Sequence, residues 1–117
     1  MNRSELLQEA VTRWGKESQS FMAIEEMAEL TKALSKAYRK FGTEQIVNIL
    51  EEIADVRIML DQLQIMFEPL VNNEDMTYLV SLAEEGKLVR LAQRLGVNYT
   101  PNTDFNLTQP TASQVKS

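Results

Sequence analysis

Two five-residue stretches hold six of the chain's 17 acidic side chains: Glu25, Glu26 and Glu29 in EEMAE, and Glu51, Glu52 and Asp55 in EEIAD. Each stretch sets two carboxylates three residues apart, Glu26/Glu29 and Glu52/Asp55, the separation that puts both on one face of an α-helix. At about 100° per residue, the segment from Phe21 gathers Ala23, Met27, Leu30, Ala33, Leu34, Ala37, Tyr38 and Phe41 into an apolar arc from about 120° to 260°. Glu26 falls inside that arc, Glu29 at its edge, and Glu25 outside it. The segment from Ile46 repeats the design. Its arc of Ile46, Ile49, Leu50, Ile53, Val56, Met59, Leu60, Leu63, Met66 and Phe67 encloses Glu52, with Asp55 at the border and Glu51 pointing away.

A carboxylate placed in an apolar face costs several kcal/mol unless it is paired, protonated or bound to a cation. Antiparallel packing of the two segments brings Glu26, Glu29, Glu52 and Asp55 together, where they repel one another unless a cation sits among them. With no cysteine and no histidine in the chain, oxygen is the only strong donor for a metal. An all-oxygen set suits Mg²⁺, with Mn²⁺ as an alternative, and Mg²⁺ keeps coordination positions for phosphate oxygens, so a phosphorylated anion is the expected substrate. Glu-Glu pairs on helices also serve as solvated faces or as partners of lysines one turn on, and Lys32, Lys36 and Lys40 are at hand for that. The repetition of a misplaced acid in two motifs favours the metal site.

The elements that carry these motifs read as helices throughout. At 117 residues, 44% hydrophobic and 25% charged, the chain has the size and composition of one globular domain. Its pattern between rare glycines and prolines is helical rather than alternating. A first helix is expected from about Ser4, a capping candidate, to Trp14, with Gly15 ending it. A second starts near Ser18 or Ser20 and runs to about Lys40; Lys36, Arg39 and Lys40 near its end suit the helix dipole. Thr43 caps a third that lasts to Phe67, because Pro69 disfavours helix at Glu68. After a polar turn over Asn72 to Asp75, a fourth runs from Met76 to Leu95, weakened at Gly86. Residues 97–117 shift to Asn, Thr, Pro, Gln and Ser and read as an extended or disordered tail, leaving 1–96 as the folded domain. A second stripe on the third helix (Val47, Ala54, Ile58, Ile65) implies burial on two sides, as in a bundle centre or a dimer interface.

The net charge of −5 argues against binding to nucleic acid or an anionic membrane. No apolar run approaches the roughly 18 residues of a membrane span, and the polar stretch Met1 to Ala10 lacks a signal-like core, so a cytoplasmic location is expected.

On these motifs the chain resembles the all-α nucleoside triphosphate pyrophosphohydrolase superfamily, in its MazG-like branch. That family's signature, EExxE followed after a spacer by ExxD, reads here as Glu25-Glu26-Met27-Ala28-Glu29 and Glu52-Ile53-Ala54-Asp55. The continuation ADVRIMLDQL and the segment WGKESQ before the first motif are also similar, and the likeness spans roughly residues 4–95. It implies a four-helix bundle that oligomerises through helix packing, as a homodimer or homotetramer. It further implies Mg²⁺-dependent cleavage of NTPs or dNTPs between the α and β phosphates, yielding a monophosphate and pyrophosphate. Glu26, Glu29, Glu52 and Asp55 take the place of the family's metal ligands, the same four that the helical wheels select.

Around them, Lys32, Lys36 and Arg39 are candidates for holding the β and γ phosphates. Trp14 and Gln19 are candidates for stacking on a base and reading its edge. Tyr38 and the methionines read as core. Two rival readings have other features behind them. A noncatalytic helical scaffold needs only the amphipathic faces. The string GKLVRLAQRLGV is similar to the first half of a helix-turn-helix, but NYTPNTDF, where the recognition helix belongs, holds Pro101 and no basic residue.

Overall fold

In a computed structural model, which describes residues 1–71 and 75–101, the chain is all-helical. Four α-helices follow in order, α1 (Arg3–Trp14), α2 (Lys16–Arg39), α3 (Thr43–Phe67) and α4 (Met76–Leu95), with a 3₁₀ turn over Glu68–Leu70 after α3. Two compact units are distinguished, Met1–Met66 with α1 to α3 and a second from Phe67 onward with the 3₁₀ turn and α4.

In the first unit, α1 starts earlier than Ser4. The Asn2 side chain accepts from the Glu5 N–H at 2.8 Å and so supplies the cap, leaving Ser4 within the helix. Gly15 then does two things. Its N–H donates to the Val11 carbonyl at 2.9 Å, closing α1, and its own carbonyl accepts from the Gln19 N–H at 3.1 Å, opening α2 at Lys16. The backbone there, φ 91° and ψ 155°, lies in a region nearly reserved for glycine. The polar stretch KESQS, which lacks an apolar period, is therefore helical, and α2 begins two residues before Ser18. It ends at Arg39, one residue short of Lys40.

α2 and α3 form an antiparallel hairpin across the short turn 40–42. Glu26 lies against Glu52 and Asp55, and the Ser20 hydroxyl donates to the Met66 sulfur at 3.7 Å. Moving toward the start of α2 thus means moving toward the end of α3. Leu7, Val11, Ala23, Ala37, Val56, Met59 and Met66 are the buried apolar side chains of this unit.

The apolar arcs are covered over only part of their length. Tyr38, expected in the core, is 91% exposed, and Leu34 and Met27 on α2 and Phe41 in the turn join Ile46, Leu50, Ile53 and Leu60 on α3 as exposed large apolar residues. Shared helical phase puts these side chains on one face, and no neighbouring element of the first unit closes over that face. Three buried amides take core places instead, Gln19, Gln45 and Gln62.

The second unit has a small core of Val71, Leu79 and Leu82 with Met76 packed against it. Asp75 caps α4, its carboxylate accepting from the N–H groups of Thr77 at 2.9 Å and Tyr78 at 3.4 Å. Gly96, at φ 68°, ends the helix, with its N–H on the Gln93 carbonyl and the Val97 N–H on that of Ala92, a Schellman arrangement. Helix continues through Gly86 without a break. Beyond Gly96, residues 97–101 have no regular structure, and the Tyr99 hydroxyl donates to the Glu85 carboxylate at 2.6 Å. The expected turn at Asn72 to Glu74 and the tail from Asn102 lie outside the described residues.

Candidate metal centre

The amphipathic register of α2 and α3 decides which acids meet. Glu26, Glu52 and Asp55 each offer a carboxylate oxygen, and those three oxygens lie within 4.8 Å of one another. Glu26 and Glu52 are half-buried and Asp55 is exposed, matching their places inside and at the border of the two arcs. Glu29, the fourth acid of the motif pair, is exposed and outside this trio, though its charge still acts on Glu26. Glu25 and Glu51 point to solvent.

The electrostatics are those of like charges forced together. The Glu26 carboxyl is held above its ordinary value of 4.5, first by burial, then by the charges of Asp55 and Glu52, by a hydrogen bond with Asp55, and by the charge of Glu29. Glu52 Oε2 is buried and has no hydrogen-bond partner among the described residues. Among the described residues, the ion pairs are Arg3–Asp61 at 2.7 Å and Arg13–Glu9 at 2.9 Å, so no ammonium or guanidinium clasps the trio. An orphan carboxylate oxygen beside two further carboxylates and no cationic side chain is the donor set a hard divalent ion takes. The residues fit Mg²⁺.

Compared with known proteins, the chain matches no family model, no curated protein and no solved structure. The residues themselves carry the functional argument.

The remaining sequence candidates divide along the hairpin. Lys32, Lys36 and Arg39 are exposed on α2 beyond Glu26, at roughly 9, 15 and 20 Å along the axis at 1.5 Å per residue. Lys32 is the nearest of the three to Glu26 along the axis, while Arg39 sits in the last turn of α2. Toward the other end, Gln19 is 3% exposed and packs as a core amide. Trp14, at the end of α1, is 61% exposed and lines a cavity with Leu6, Leu7, Ala10, Ile58 and Gln62. Gln62 carries no mark in the sequence, because an amide on an amphipathic helix reads as a surface residue.

Proposed function

We propose that this chain is a Mg²⁺-dependent nucleoside triphosphate pyrophosphohydrolase of the MazG-like, all-α type, hydrolysing NTPs or dNTPs between the α and β phosphates. The observation that carries the reading is the meeting of Glu26, Glu52 and Asp55 oxygens within 4.8 Å, from two helices and, among the described residues, without a cationic partner. The EExxE and ExxD motifs supply these same residues.

In this reading Glu26, Glu52 and Asp55 hold the ion, and Glu29, one turn from Glu26, extends the set toward solvent. Mn²⁺ suits the same oxygens. Bound there, the metal supplies charge neutralisation for the phosphates and a lowered pKa for a water. Lys32 and Lys36 lie on the exposed side of α2, where ammonium groups add attraction for the distal phosphates. Burial and the neighbouring carboxylates make Glu26 a stronger base than an ordinary carboxylate.

A second copy of the chain is the proposed cover for the exposed apolar side chains around the hairpin turn. Leu34, Tyr38, Phe41, Ile46 and Leu50 together form an apolar surface of the kind that marks association sites. A homodimer, or a homotetramer built from it, buries them. Among the described residues no helix is long and apolar enough to cross a membrane; a cytoplasmic enzyme acting on free nucleotides is the proposed setting.

The deciding experiment is a panel of canonical and modified NTPs and dNTPs with separate detection of pyrophosphate and orthophosphate, run with Mg²⁺ and with Mn²⁺. Metal-dependent pyrophosphate release is expected. Orthophosphate release instead overturns the assigned bond. No turnover, together with no thermal shift from Mg²⁺ plus an α,β-nonhydrolysable dNTP, leaves a noncatalytic scaffold.

A further inference from the structure

The apolar cavity between α1 and α3 has the features of a site for a flat ring. It encloses about 310 Å³ and is walled by Leu6, Leu7, Ala10, Trp14 and Ile58, with Glu9 and Arg13, paired to each other at 2.9 Å, also among its lining. That volume is at the lower end of the range typical of small-molecule sites. Two side chains in it are out of keeping with a plain packing defect. The Trp14 indole is 61% exposed although apolar partners lie beside it. Gln62 is 4% exposed, and its Oε1 has no hydrogen-bond donor among the described residues.

A buried amide oxygen without a donor costs about 1–3 kcal/mol, a cost that an incoming N–H group removes. The terminal torsion of a glutamine is soft, so the amide of Gln62 turns toward the cavity its residue lines with little strain. An indole face, an apolar wall and one hydrogen-bond acceptor make the minimal set for holding a heteroaromatic ring with an N–H edge.

Position ties this cavity to the acids. Gln62 lies seven residues beyond Asp55 on α3, two turns or about 10 Å along the axis and on the same face. Because the hairpin is antiparallel, this is the end of the acid cluster opposite Lys32 and Lys36. A nucleotide laid along the hairpin has its base at one end and its distal phosphates at the other, with the acids between.

We infer that the cavity lined by Trp14, Ile58 and Gln62 is the nucleobase site, in which Trp14 stacks on the ring and Gln62 accepts a hydrogen bond from an exocyclic amino group. This assignment rests on the nucleotide reading above for its ligand class. It moves the edge-reading role from Gln19, which is buried away from this cavity, to Gln62.

Trp14 is the chain's single tryptophan, so its fluorescence reports on this cavity directly. Deoxycytidine and deoxyadenosine, titrated without metal into the full chain, are expected to change that fluorescence saturably. Their analogues without the amino group, the pyrimidin-2-one and unsubstituted purine deoxynucleosides, are expected to bind about tenfold more weakly. In Gln62→Met, which removes the orphan oxygen while keeping volume, each pair binds alike. Its thermal melt checks folding and is expected to be unchanged or higher. A fluorescence response to neither amino nucleoside overturns the assignment, and so does amino discrimination that survives in Gln62→Met. Mg²⁺ with inorganic tripolyphosphate, which has no base, probes the acid cluster separately by thermal shift. A nucleoside response without a tripolyphosphate response upholds the cavity and overturns the metal reading; the converse overturns the cavity alone.

Discussion

Glu26 on α2 and Asp55 on α3 bring carboxylate oxygens within 4.8 Å of each other, although both are acids and Glu52 adds a third carboxylate beside them. Burial first, and then the charges of Asp55 and Glu52, make Glu26 hold its proton to higher pH than an ordinary carboxyl.

A pH dependence follows with a definite sign. The folded-state pKa of Glu26 is raised above 4.5, so between that value and the raised one the folded chain binds more protons than the unfolded chain. Stability from this group is therefore greatest at low pH and declines as pH rises through the raised value. Thermal melts without divalent ions should show Glu26→Gln losing less melting temperature than the parent over that interval. Millimolar Mg²⁺ should raise the melting temperature of the parent above that of Glu26→Gln, because a cation favours the ionised carboxylates and the variant lacks one of them. Parallel curves for the two proteins would show that Glu26 is not under this strain.

Glu52→Gln separates function from folding. It replaces the carboxylate with the orphan oxygen by a neutral group of the same shape. The metal-free protein should melt at the same temperature or a few degrees higher, as expected for relief of about 1 kcal/mol or less of repulsion. Mg²⁺-dependent pyrophosphate release should fall by at least about a hundredfold, and the Mg²⁺-induced thermal shift should vanish. A variant that melts lower and still turns over nucleotide would argue for a purely structural acid.

Tyr38→Glu tests the proposed self-association. The side chain is almost wholly exposed, so a charge there costs the isolated chain within about 0.5 kcal/mol. In a dimer that covers Tyr38, the same charge is buried without a partner. Analytical ultracentrifugation should show the parent sedimenting as a dimer or larger and Tyr38→Glu shifting toward monomer. A parent that sediments as monomer across the accessible concentrations would remove the second copy from the proposal.

The two helix-ending glycines should differ in their response to alanine. Neither has any atom within 4 Å of an added Cβ, so only backbone conformation matters. Gly96 is left-handed helical, where alanine costs roughly 1–2 kcal/mol. Gly15, at φ 91° and ψ 155°, is in a region essentially closed to other residues, and Gly15→Ala should cost more, up to about 3 kcal/mol. Chemical denaturation of both variants measures the order directly.

Much of this was legible in the sequence where a local signal decides the outcome. Phe67 ahead of Pro69, Met76 after Asp75, and Gly96 mark helix boundaries where the structure has them. Thr43, expected as a cap, is the first residue of α3, with the Gly42 carbonyl accepting from the Ile46 N–H. Glu26 and Glu52 were readable as half-buried because helical phase alone puts them among apolar neighbours. What phase cannot give is the partner that covers a face. Hence Tyr38 and Phe41, placed in an apolar arc, are exposed, and Glu29 stands outside the trio that Glu26 joins. The buried amides Gln19, Gln45 and Gln62 were illegible for the opposite reason, since polarity suggests solvent and only three-dimensional neighbours reveal burial. The Tyr99–Glu85 contact belongs to the same class, because it joins a helix to an irregular segment that has no period to read.

Gly15 has a reach beyond its own two dihedral angles. The indole of Trp14 is attached one residue before it, on the helix that forms one wall of the cavity, while Ile58 and Gln62 on α3 form the other. The breadth of the opening is thus fixed at a joint that does not line it. Any residue with a side chain is strained at this joint, so the setting of the α1 wall depends on a position outside the cavity lining.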